Sequence, residues 1–120
     1  MILPPSIRAM IVPMVSAICL SAMGTIGTVS AEDLPTIEVL LQGDVFSPAD
    51  IKVPANKTFI LKVINREKAA VEIEAIDLKI EKVVAAGTEM TARVRPLKAG
   101  RYLIVNEYRE DTVKAFIVAE

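Results

Sequence analysis

Phe59-Ile60-Leu61-Lys62-Val63-Ile64-Asn65 decides the fold. Phe59, Leu61 and Val63 share one face of an extended chain and Lys62 lies on the other, the period of two that marks a strand with one buried side. The segment closes at Asn65, and the polar residues 66–69 read as a loop. Towards the N-terminus, Pro54-Ala55-Asn56-Lys57 is a turn after a short strand at residues 51–53. Before it, Ile37, Val39 and Leu41 line one face of a first strand that ends at Gln42-Gly43-Asp44. Towards the C-terminus, Ile73 and Ala75 face one way and Glu72 and Glu74 the other. Residues 79–84 form a further strand, stopped by Ala85-Ala86-Gly87. Met90, Ala92 and Val94 then alternate with Thr91, Arg93 and Arg95 before the turn at residues 96–100. Strands at residues 102–106 and 113–119 finish the chain. Seven to eight short strands, with no heptads, repeats or long helical period, predict an all-β sandwich.

The first thirty residues are a different kind of sequence. Arg8 supplies a positive charge, residues 9–26 are almost continuously apolar or small, and Val29-Ser30-Ala31 puts small residues where a signal peptidase cuts. A signal peptide is expected over residues 1–31 and one domain over 32–120. An uncleaved anchor is the competing reading, because the apolar run approaches the roughly 18 residues that permit spanning. Pro13 and the Gly24/Gly27 pair count against it. Cys19 follows the bulky Ile18, unlike a lipoprotein site, and leaves with the signal.

Removing Arg8 from 14 basic residues leaves 13 against 15 acids, a net charge of −2 for the mature domain. Neither nucleic acid nor an anionic membrane surface is an expected partner. An exported domain this small often leans on disulfides, but no cysteine remains, so stability must come from aliphatic packing. With no His in the sequence and no mature Cys, Ser-His-Asp and Cys-His catalysis are unavailable, and there is no Gly-rich phosphate loop. Ser47, the sole mature serine, precedes Pro48 in a turn. The chain is not expected to be an enzyme.

Several runs together resemble a known family. Phe46-Ser47-Pro48-Ala49-Asp50-Ile51-Lys52-Val53-Pro54-Ala55-Asn56-Lys57, with Leu61 to Asn65 after it, looks like the opening half of small bacterial cupredoxins. Pro96-Leu97-Lys98-Ala99-Gly100-Arg101-Tyr102 looks like the turn and strand that lead into their metal-binding loop. The segments at residues 72–84 and 106–112 are similar to the EfeO-type cupredoxin-like family of bacterial periplasmic iron-uptake systems. That resemblance implies a cupredoxin-like Greek-key β-sandwich, located in the periplasm and accessory to iron transport. It implies as partner a membrane iron permease or another periplasmic metal-uptake component.

The departures limit what carries over. Where a type 1 copper site has its first His, its Cys and its second His, this chain has about Glu72, Asn106 and Arg109, and no Met follows. Met90, by alternation, is a core residue. Type 1 copper is therefore not an expected cofactor. The acidic alternative is a metal site at Glu72, Glu74 and Glu107. Glu72 and Glu74 share a strand face at roughly 6.6 Å, and Glu107 is the carboxylate the resemblance assigns to the family's iron site. Such oxygen donors suit iron or another divalent ion such as manganese or calcium. The competing reading makes Glu72, Glu74, Lys79, Glu81 and Lys82 a solvated outer face. Arg109 bears on the choice, since a like charge about 4 Å from a bound ion costs on the order of 4 kcal/mol at an effective dielectric near 20. Arg109 either blocks the site, pairs with Glu72 or Glu107, or points into solvent. Two functions remain open: a metal-uptake accessory protein with a weak or lost carboxylate site, and a metal-free structural or interaction sandwich that docks to a partner protein. A ferroxidase-type redox role would need a centre this chain lacks.

Overall fold

The structure, a computed structural model, describes residues 33–120. The expected signal peptide and Cys19 lie outside the described residues. Nine strands follow in order: β1 (Thr36–Gln42), β2 (Val45–Ser47), β3 (Asp50–Val53), β4 (Phe59–Asn65), β5 (Val71–Ala75), β6 (Ile80–Val84), β7 (Glu89–Val94), β8 (Gly100–Asn106) and β9 (Lys114–Ala119). The strand beyond the expected seven to eight is β2. Gly43 and Asp44 both adopt positive φ, 62° and 58°, and Gln42 pairs with Val45. This is the two-residue turn whose twist matches a hairpin, so the chain folds straight back where the alternation only marked a strand end.

The strands form a four-stranded sheet in the order β2-β1-β4-β7 and a five-stranded sheet in the order β3-β9-β8-β5-β6. The β1–β4 and β3–β9 pairs are parallel; the others are antiparallel. The chain passes between sheets after β2, β3, β4, β6 and β7. Phe59, Leu61 and Val63 from β4 are fully buried and meet Ile51, Ile73, Ile104 and Ile117 of the other sheet in one core. Burying each such side chain contributes about 1.5–3 kcal/mol. Met90 packs in that core, as the alternation predicts. Among the described residues no helix is long and apolar enough to cross a membrane.

Two buried asparagines organise the end of the sandwich where the β4–β5 and β8–β9 connections meet. Asn65 Nδ2 donates to the carbonyls of Ala69, Val84 and Ala85 at 3.1, 3.0 and 3.2 Å, and its Oδ1 accepts from the Glu67 N–H at 2.9 Å. It therefore ties the end of β4 to its own loop and to the end of β6. Asn106, at the end of β8, is the second.

Candidate metal centre

Sequence alternation puts Glu72 and Glu74 on the outward face of β5, opposite the buried Val71, Ile73 and Ala75. A single 3₁₀ turn, Ile76–Leu78, then reverses the chain into β6. Lys79 completes the reversal in the left-handed region at φ 56°. The register sets Glu74 against Glu81 and Glu72 against Val83, so Glu81 projects from the same face as both β5 acids. A second 3₁₀ turn, Glu107–Arg109, brings Glu107 over them. Asn106 fixes that turn: its Oδ1 accepts from the Glu72 N–H at 3.1 Å and from the Tyr108 N–H at 3.3 Å.

Carboxylate oxygens of Glu72, Glu81 and Glu107 lie within 4.8 Å of one another. Three oxygens at that limit lie about 2.8 Å from a common centre, so a hard cation with metal–oxygen distances of about 2.4 Å is held by all three after a closure of a few tenths of an ångström, and a smaller ion needs more. Glu107 Oε2 is shut off from solvent without a hydrogen-bond partner. Among the described residues no ion pair reaches Glu72, Glu74, Glu81 or Glu107, whereas on the other sheet Lys62 is held by both Glu38 and Glu89. Partial burial, then the adjoining Glu107 carboxyl, pushes Glu72 above the usual carboxylate range against smaller lowering contacts from Glu81 and Tyr108. For Glu107, contact with Glu72 pulls downward, but desolvation and the charges of Glu74 and Glu81 outweigh it and leave that carboxyl raised as well.

The sign of the pH effect follows. Raised carboxyls hold more protons in the folded state than in the unfolded one, so stability falls as pH rises through the window between the two ranges and stays lowered above it. In chelated buffer, Glu107→Gln is expected to raise the thermal midpoint at neutral pH, with the gain disappearing near pH 3, where these acids are protonated in both states. Thermal unfolding of parent and variant across that range checks it. An unchanged or lower midpoint at neutral pH would show that the acids are not in conflict.

Of the residues expected to form the site, Glu72 and Glu107 come together. Glu74 sits beside them, near enough to raise Glu107, but the close triad takes Glu81 in its place. Glu81 reads from the sequence as part of a solvated face; its signal is the hairpin register, which two strands joined by a short turn impose. Arg109 pairs with neither Glu72 nor Glu107. It pairs with Asp44 in the β1–β2 turn of the opposite sheet. The reason is local: at three residues per turn, Glu107 and Arg109 leave a 3₁₀ turn about 120° apart. Glu72 and Asn106, the positions aligned with copper ligands, also separate. Asn106 pairs across the strands with Ile73 and is buried with it, so its side chain lies on the inner face and that of Glu72 on the outer.

The family profile described as a cupredoxin-like domain matches residues 9–119. The chain belongs to the cupredoxin-like domain family. A Rickettsia prowazekii (strain Madrid E) protein, itself uncharacterized, is 26% identical over 87 residues, 72% of this chain and 70% of its own. Among solved structures, the metal-binding domain of the Cu(I)-exporting P-type ATPase CopA of Streptococcus pneumoniae D39, solved with Cu(I), superposes with a TM-score of 0.61 at 15% identity, covering 71% of this chain and 84% of that one. Auracyanin B gives 0.59 at 15% identity over 72% and 88%. A purple cupredoxin from Nitrosopumilus maritimus gives 0.53 at 11% over 70% and 99%. These likenesses establish the cupredoxin fold. They do not carry the copper chemistry across, because the chain has no His and its single Cys is Cys19. The imidazole donors of a type 1 copper centre are absent from the chain, no thiolate lies among the described residues, and the residues there do not fit such a centre.

Proposed function

We propose that this cupredoxin-like protein is an exported accessory component of an EfeO-type metal-uptake system. It holds a hard divalent cation, iron foremost, at Glu72, Glu81 and Glu107, with Glu74 at the rim. The observation that carries this reading is the convergence of three carboxylates within 4.8 Å of one another without a basic partner among the described residues. A cation there neutralises charges that otherwise repel and gives the orphan Glu107 Oε2 an electrostatic partner. Oxygen donors favour ferrous, manganous or calcium ions over cuprous ion. Export to the periplasm is read from Arg8, the apolar run after it and Val29-Ser30-Ala31. The partner is a membrane iron permease or another periplasmic uptake component, and the protein's task is to hold and hand over a cation rather than to transform a substrate.

Calorimetric titration with ferrous ion under anaerobic conditions, and with manganous and calcium ions, tests the site. One ion per chain is expected, with a dissociation constant on the order of 10⁻⁴ M, the range of weak carboxylate sites. Glu81→Gln and Glu107→Gln should each weaken binding by about tenfold or more. Arg109→Ala should leave it nearly unchanged, because that guanidinium is engaged by Asp44. Equal, negligible binding in parent and variants would overturn the metal reading.

A further inference from the structure

Four of the large apolar side chains that stay exposed, Ile76, Val83, Leu103 and Phe116, belong to the outward face of the five-stranded sheet or to the turn folded against it. They are not evenly spread. Leu103 is paired across the strands with Phe116, and Arg101 covers the Phe116 ring at 4.5 Å while binding Asp50. On the other side of Leu103 the 3₁₀ turn leaves a cavity of about 180 Å³ lined by Glu74, Ile76, Asp77, Leu103 and Val105. Val105 is buried here yet stands outside the main core, so an apolar floor lies under an acidic rim.

The charges say what fits. Glu74 and Asp77 have no ion pair among the described residues, and Lys79 and Lys114, which border this region, bind neither of them. On the outward face of the other sheet, the Lys62 ammonium is already neutralised by Glu38 and Glu89. Arg93, exposed on the same face of β7, is in no ion pair among the described residues, so a second copy is the competing occupant that the titration has to separate. We infer that the Ile76–Leu103–Val105 cavity docks a basic segment of a partner protein, one aliphatic side chain seated on the apolar floor and flanking Lys or Arg groups meeting Glu74 and Asp77. This goes beyond the cation site: Glu74 stands at the rim of both, but Ile76, Asp77, Leu103 and Val105 take no part in the triad of Glu72, Glu81 and Glu107.

The test titrates the ¹⁵N-labelled protein with three capped pentapeptides, Gly-Lys-Leu-Lys-Gly, Gly-Lys-Ser-Lys-Gly and Gly-Glu-Leu-Glu-Gly, in low salt with chelator. The Lys-Leu-Lys peptide is expected to give saturable shifts at the amides of Glu74, Ile76, Asp77, Leu103 and Val105. Binding should weaken about tenfold when the peptide leucine becomes serine, and should weaken markedly with about 1 M salt. Asp77→Asn with Leu103→Ser should abolish it. Glu81→Gln should leave it intact while impairing cation binding, so that failure of docking and failure of the metal site are told apart. Absence of saturable shifts at these amides, or equal binding of the Glu-Leu-Glu peptide, overturns the proposal. So do concentration-dependent shifts of the same amides without peptide, which would make a second copy the occupant.

Discussion

Asn65→Leu is expected to cost about 3 kcal/mol of folding stability and, for a domain of this size, to lower the thermal midpoint by roughly 15 °C. Leucine nearly matches the shape of asparagine, so the loss is not that of a cavity. It comes from the three carbonyls and one N–H that the Asn65 side chain now satisfies. Each unpaired buried group costs about 1–3 kcal/mol, but the contacts to Ala69, Ala85 and Glu67 are only partly buried, and water can replace part of what they provide. The bond to the Val84 carbonyl is fully buried and has no such relief. Denaturant unfolding of both proteins measures the difference. A loss under about 1 kcal/mol would mean that water takes over the whole set.

The fold is legible from the sequence because one rule carries it. Alternation of Phe59, Leu61 and Val63 with Ile60 and Lys62, and of Val71, Ile73 and Ala75 with Glu72 and Glu74, buries one face and leaves the other half-buried, as in β4 and β5. A period of two says which face a residue occupies, but not which strand lies beside it. The partnership of Glu72 and Glu81 depends on register, set by Lys79 in the left-handed region at the end of a one-turn reversal. Nothing in the alternation of β6 reveals it, because its three central residues are all exposed. Arg109 fails to be legible for another reason. Its partner Asp44 lies 65 residues away on the opposite sheet, in a turn whose hairpin geometry had first to be recognised from Gly43-Asp44. The cavity beside Leu103 depends likewise on the packing of a 3₁₀ turn over β8, which leaves no periodic trace in the sequence.

Asn106→Ala is expected to cost about 2 kcal/mol and also to weaken cation binding by about tenfold, a joint loss that distinguishes it from a merely structural change. Set against a copper protein, Asn106 reads as a missing cysteine; here it has work of its own. Its inward-facing Oδ1 receives the N–H groups of Glu72 and Tyr108, on two of the three elements that supply a carboxylate, β5 and the second 3₁₀ turn. Its own N–H is bound by the Val113 carbonyl, so the backbone stays anchored when the side chain is removed. Alanine then leaves two N–H groups without an acceptor and frees the 3₁₀ turn that carries Glu107 across β5. Asn106→Asp keeps an acceptor at the same place and should retain the turn, while adding a further negative charge near Glu72 and Glu107. The aspartate variant should therefore lose stability mainly above the carboxylate titration range and recover it in acid, where alanine does not. Calorimetric cation titrations with unfolding curves at neutral and acid pH separate these outcomes. If Asn106→Ala loses stability but binds cations like the parent, the second 3₁₀ turn does not depend on this cap, and the backbone bonds from Thr112 and Val113 to the Arg109 carbonyl are enough to hold Glu107 in place.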